Sequence, residues 1–126
     1  MNGVFNLGRS DALDVLRRWQ ASFIPPGEMK RLGVPKQFAW HVFSYNVVRA
    51  TRGAQAVADY EAAAENADDF FVIASESSRI EAGRVRGPAP FFHGSDITIS
   101  PPDFSWTMAF THEEPELGPY FALRSL

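Results

Sequence analysis

The chain has 126 residues, of which 45% are apolar, 21% charged and 13% aromatic, with a net charge of −3. That length favours one domain, and eleven Phe, three Trp and three Tyr are ample material for its core. The absence of cysteine excludes disulfides, iron–sulfur clusters, thiolate zinc sites and cysteine nucleophiles together.

The first residues, MNGVFNLGRSDALDVLRRW, lack a basic stretch followed by an apolar core, so no secretory signal is expected. No apolar run approaches the ~18 residues that a membrane span needs. The expectation is a soluble, cytoplasmic protein without membrane contact. Charge is unevenly spread: residues 1–54 carry eight Lys/Arg against three Asp/Glu, and residues 55–126 carry four against twelve. Such asymmetry either pairs within the fold or presents an acidic face to a basic partner. The acidic balance argues against nucleic acid, although Lys30, Arg31 and Lys36 form a local basic cluster.

In chain order, Ala12, Val15, Leu16, Trp19 and Phe23 recur at helical spacing, which predicts a helix from about Ser10 to Phe23, capped by Ser10 or Asp11. It must stop before Pro25-Pro26-Gly27. A short helical turn is expected across residues 28–32. FAWHVFSYNVV, residues 38–48, reads as a strand apolar on both faces. The alanine-rich stretch 51–65 reads as a second helix, capped by Thr51, with Ala54, Val57, Ala58 and Ala62 as its apolar face. FFVIA, residues 70–74, is a short buried strand. Residues 76–95 hold Gly83, Gly87, Pro88 and Pro90 and are expected to form a long loop, with at most some strand around Ile80 or Val85.

Beyond it, Ile97 and Ile99 alternate with polar residues, and Phe104, Trp106, Met108 and Phe110 alternate with Ser105, Thr107, Ala109 and Thr111. Period-two patterning predicts a half-buried strand. Gly118-Pro119 ends the next turn, and residues 120–123 form the last strand. The sum is a single α+β domain spanning residues 1–126: a mainly antiparallel sheet with a C-terminal β-meander, and two main helices on one face. The small, nearly uncharged set Thr98, Ser100, Ser105, Thr107, Ala109 and Thr111 would be either a half-exposed sheet face or a surface for a second copy, so a homodimer is one expectation.

Chemistry-bearing residues are sparse. His41, His93 and His112 have no metal-ligand spacing such as H-E-x-x-H, so no metal or other cofactor is expected. Ser44 lacks the Gly-x-Ser-x-Gly elbow, and Arg84 and Arg86 in GRVRGPAP open no phosphate-binding helix. No catalytic residue is assigned. If the strands at 104–111 and 120–123 are neighbours, HEEPELG joins them, and His112, Glu113, Glu114 and Glu116 lie at a loop tip.

Three blocks carry a resemblance: W-H-x-F-S-Y at residues 40–45, F-x-W-T-x-x-x-T-H-E at 104–113 and G-P-Y-F at 118–121. The chain resembles an uncharacterised family of small bacterial domains over residues 10–124. That resemblance implies a small soluble protein and transfers no catalytic residue. It also implies that THEE and GPYF belong together. The functional expectation is a non-enzymatic protein-binding domain of the toxin-neutralising immunity type, with His112, Glu113, Glu114 and Glu116 meeting a basic protein partner. The alternative is a small hydrolase or ligand-binding enzyme using His41 or His112 with a nearby carboxylate.

Overall fold

A computed structural model describes residues 4–24, 49–76, 79–114 and 116–124. The strand expected at 38–48, the turn at 28–32, and with them His41, Ser44 and the Lys30–Lys36 cluster lie outside the described residues. The elements are β1 (Val4–Asn6), α1 (Arg9–Phe23), β2 (Thr51–Arg52), α2 (Ala54–Ala64), β3 (Asp69–Glu76), β4 (Arg79–Arg86), β5 (Ile97–Ser100), β6 (Trp106–Ala109) and β7 (Tyr120–Leu123). The strands form one sheet in the order β1-β4-β3-β5-β6-β7-β2, with every neighbour antiparallel. The architecture is α+β.

The helices do not share a face, contrary to expectation. α1 buries Ala12, Val15, Leu16, Trp19 and Phe23 against Phe71, Ile73, Ala109 and Ala122. α2 buries Ala56, Tyr60 and Ala64 against Phe70, Val72, Trp106, Met108 and Phe121. Successive strand residues point to opposite faces, so the run Phe70-Phe71-Val72-Ile73 feeds both cores at once. A sheet with two apolar faces needs a cover on each.

This corrects the reading of the Thr/Ser face. Thr98, Ser100, Thr107, Ala109 and Thr111 are buried, and of that set only Ser105 is exposed. The face is neither half-exposed nor open to a second copy, because α1 lies over it. Trp19 Nε1 donates to Thr107 Oγ1 (2.9 Å), and that hydroxyl donates to the Ile99 carbonyl (3.0 Å). Small side chains there let a helix carrying Trp19 and Phe23 approach the sheet.

α1 covers the expected span, but its N-cap is Gly8 without a side-chain cap, so Ser10 and Asp11 do not serve. α2 is shorter than expected and begins after Gly53, whose φ of +63° suits a residue without Cβ. Thr51 is not its cap. It lies in β2, and its hydroxyl donates to Asp59 Oδ2 (2.7 Å). The buried face of α2 is also not the expected one, since Ala54, Ala58 and Ala62 are exposed. Where most positions are alanine, the one large residue decides the face. Tyr60 is fully buried, meets Trp106 and Phe110 edge-on (centroids 5.6 and 6.0 Å), and donates its hydroxyl to the Pro90 carbonyl (2.7 Å). Burial holds its phenol well above the usual tyrosine range.

Of the long loop expected at 76–95, residues 79–86 form strand β4, which contains both Ile80 and Val85, where some strand was expected. β4 pairs with β3 from Asp69↔Arg86 to Glu76↔Arg79, and with β1 on its other side. Ala82 enters one core and Val85 the other, while Gly83 lies between Val72 and Asn6. Residues 87–96 then cross the α2 side of the sheet, where Ala89 and Phe92 pack on the core and Phe91 meets Tyr60 edge-on (5.3 Å). That crossing delivers residues 93–96 to the end of the sheet where β6 hands over to the 110–119 connection.

Candidate functional site

β5 and β6 form a hairpin with Thr98 opposite Ala109 and Ile99 opposite Met108. Beyond the ladder, the Phe110 N–H donates to the Ile97 carbonyl (2.8 Å). This register sets Asp96 against the residues that follow β6. β6 and β7 are neighbours, as expected, and the HEEPELG segment lies between them.

His112 is bound to Asp96 through two groups. Its ring Nδ1 lies 2.8 Å from both carboxylate oxygens, and its backbone N–H donates to Oδ1 (3.0 Å). A carboxylate only accepts, so Nδ1 carries the proton. Asp96 is buried (8% exposed), whereas nearly half of the His112 side chain (47%) is exposed. The hydrogen bond to Asp96 is the main reason the imidazole is held above the usual histidine range, and the charges of Asp96 and Glu113 add to it.

A second pair crosses the same junction in the opposite sense. Glu114 Oε2 accepts from His93 Nδ1 (2.9 Å) and from the Gly94 N–H (3.2 Å), and Oε1 accepts from the Thr111 N–H (3.3 Å). His93 stacks on Phe91 and meets Phe110 edge-on at 5.0 Å. The 93–96 segment thus lends a carboxylate to a histidine of the 111–114 turn, and takes one back for its own.

The turn is also tied from within. The Thr111 hydroxyl donates to the Leu117 carbonyl, the Glu113 N–H donates to Thr111 Oγ1 (3.2 Å), and the Leu117 N–H donates to the Glu113 carbonyl (3.0 Å). Gly118 closes it at φ +97°. Its Cα is pressed so close that a Cβ would lie 2.8 Å from Thr111 Cγ2.

The four residues singled out by sequence therefore divide. Glu113 and Glu116 are exposed. Glu114 is half-buried and spends its carboxylate on the loop's own donors. His112 is exposed but anchored from beneath. Sequence reasoning missed Asp96, which it placed only as a polar position flanking β5. The signal was available in the hairpin register, since pairing Thr98 with Ala109 brings residue 96 opposite residue 111.

Among the described residues, no group of three or more His, Asp or Glu side chains is arranged to hold a metal ion. Two hollows are bounded by described residues, one between α2 and β7 and one between α2 and the 101–105 turn. Neither is lined by His112 or Asp96. No described helix is long and apolar enough to cross a membrane.

An α+β domain with an internally braced, acid-tipped loop at one end of its sheet is the class that fold and site define. The chain belongs to the family of the domain of unknown function DUF4275, whose family model matches residues 29–121. All three sequence blocks that carried the resemblance fall inside that span, while β1 and α1 precede it. No curated protein and no solved structure matches the chain.

Proposed function

We propose that the chain is a protein-binding domain that offers its 112–116 loop to a basic partner surface, with a toxin-neutralising immunity protein as the narrower form of that reading. The observation that carries it is the division of labour among the loop's carboxylates. Glu114 braces the backbone from inside through three hydrogen bonds, and Glu113 and Glu116 on either side of it stand exposed. A binding element that is rigid beforehand loses less entropy on association. Clustered exposed charge steers encounter with an oppositely charged surface.

Glu113→Lys with Glu116→Lys tests this. The double variant keeps its circular dichroism and melting temperature, and loses a partner captured from host lysate at low salt by the wild type. A partner retained by the double variant at unchanged affinity overturns the proposal.

One observation favours a second reading, an acid–base enzyme. A half-exposed imidazole whose Nδ1 is held by a buried carboxylate is a more basic and better-oriented group than a free histidine. Hydrolysis of small ester or phosphodiester substrates by the wild type, abolished in His112→Ala, would support it. No turnover above that of the variant would sink it.

A further inference from the structure

At the opposite end of the sheet from the 112–116 loop, arginines gather around a pair of stacked phenylalanines. Phe71 and Phe104 lie parallel, with centroids 5.7 Å apart and planes at 17°. The guanidinium carbon of Arg18 lies 4.8 Å from the Phe104 ring centre and 5.8 Å from that of Phe71. Arg18 Nη2 donates to the Pro102 carbonyl (3.0 Å), and Arg124 Nη1 donates to the next carbonyl along, that of Asp103 (3.3 Å). Arg84 also lies over Phe71 (5.4 Å), but Asp69 takes its charge through two hydrogen bonds.

Arg18 and Arg124 differ from Arg84 in their partners. Both are exposed, both are held by neutral carbonyl oxygens, and among the described residues neither forms an ion pair. The side chain of Asp103, whose backbone carbonyl holds Arg124, accepts the Ser105 N–H (3.0 Å). Two guanidinium groups held by neutral acceptors keep spare donors, in the planar fork that matches a carboxylate.

The geometry points to a head-to-tail contact between copies of this chain, with Arg18 and Arg124 of one copy taking Glu113 and Glu116 of the next. It rests on reading the 112–116 loop as a binding element, and it names the surface that fits. The two patches match in number, two exposed carboxylates against two guanidinium groups that form no ion pair among the described residues. The two patches lie at opposite ends of β5, so one copy can meet a different neighbour through each. Where the two patches of neighbouring copies meet only once, the contact is heterologous, and copies add in a chain or close into a ring. Exposed ion pairs are individually weak and screened by salt, so the assembly is dilute-labile and salt-sensitive.

Sedimentation velocity of the whole chain, from micromolar to millimolar concentration at low and high salt, tests this. The expected result is a weight-average mass that at least doubles with concentration at low salt and returns to the monomer at high salt. Arg18→Glu with Arg124→Glu, and separately Glu113→Lys with Glu116→Lys, should each be monomeric. An equimolar mixture of the two should associate again, because each then offers what the other lacks. Should the Arg18 substitution disturb folding, Arg124→Glu alone serves in its place. A wild type that stays monomeric at low salt, a variant that associates like the wild type, or a silent mixture overturns the contact. If the wild type is monomeric while a lysate partner still depends on Glu113 and Glu116, this contact fails and the binding proposal stands. Loop reversals that change neither readout remove both.

Discussion

The backbone N–H and the ring Nδ1 of His112 converge on one buried carboxylate, that of Asp96. Sixteen residues apart in sequence, the two close the end of the β5–β6 hairpin. Asp96→Asn keeps the shape but removes the charge, and gives two N–H donors one amide oxygen in place of a carboxylate. The His112 titration, followed by NMR, should move to lower pH than in the wild type. Stability in urea should fall by about 1–3 kcal/mol, the usual cost of weakening hydrogen bonds to a buried charged acceptor.

The same pair sets a pH dependence with a definite sign. Its folded-state pKa is raised above the ordinary 6.5, so protonated His112 favours the native state. That stabilisation is complete below the ordinary value and is lost as pH rises through the folded one. The melting-temperature difference between wild type and His112→Gln should therefore be larger near pH 5.5 than near pH 8. Asp69 acts in the opposite sense. Chiefly through its hydrogen bonds from Arg84, it is held below the ordinary 3.8, so its contribution is present above that value and lost as pH falls through the folded one. Arg84→Gln should consequently cost stability at neutral pH and lose its effect in acid.

Gly118 is the position in the loop least able to carry a side chain. At φ +97°, with Thr111 Cγ2 2.8 Å from where a Cβ would stand, Gly118→Ala combines backbone strain with a clash against a buried neighbour. A loss of about 1–3 kcal/mol is expected. Amide exchange in the 111–118 loop should rise well above that of the strands.

Thr107→Val is nearly isosteric, yet it removes the acceptor of the Trp19 ring N–H and the donor to the Ile99 carbonyl, both in a buried setting. Denaturation should show a loss of about 1–3 kcal/mol. A result near zero would mean that α1 is held on the sheet by apolar packing alone.

Much of this architecture was readable from patterning, and the failures have identifiable causes. α1 was visible because Trp19 and Phe23 stand on one stripe against charged neighbours. β7 was visible because Gly118-Pro119 punctuates it. α2 was found but turned to the wrong face, since alanine is compatible with either side and only Tyr60 distinguishes them. β4 was only glimpsed, around Ile80 and Val85, because Gly83 and the Gly87, Pro88 and Pro90 just beyond it read as loop. The threonine face was misread because small polar residues were equated with exposure, when a helix bearing Trp19 requires them beneath it. The loop's location was legible and its bracing was not, because Asp96 and His93 reach it only through strand register and the crossing of residues 87–96.

A sheet roofed on both sides has consequences for how such a domain diversifies. The faces are committed to α1 on one side and to α2 with its crossing segment on the other, so a substitution there is felt first as a packing defect. What is left to vary lies along the rim, in the turns where strands begin and end. Changes of residue at exposed positions such as Glu113 and Glu116 leave the interior untouched, whereas Glu114, Asp96 and Gly118 must be kept for the rim to hold its form. A lineage built on this plan can therefore change the character of its rim in a few steps without disturbing the packed interior.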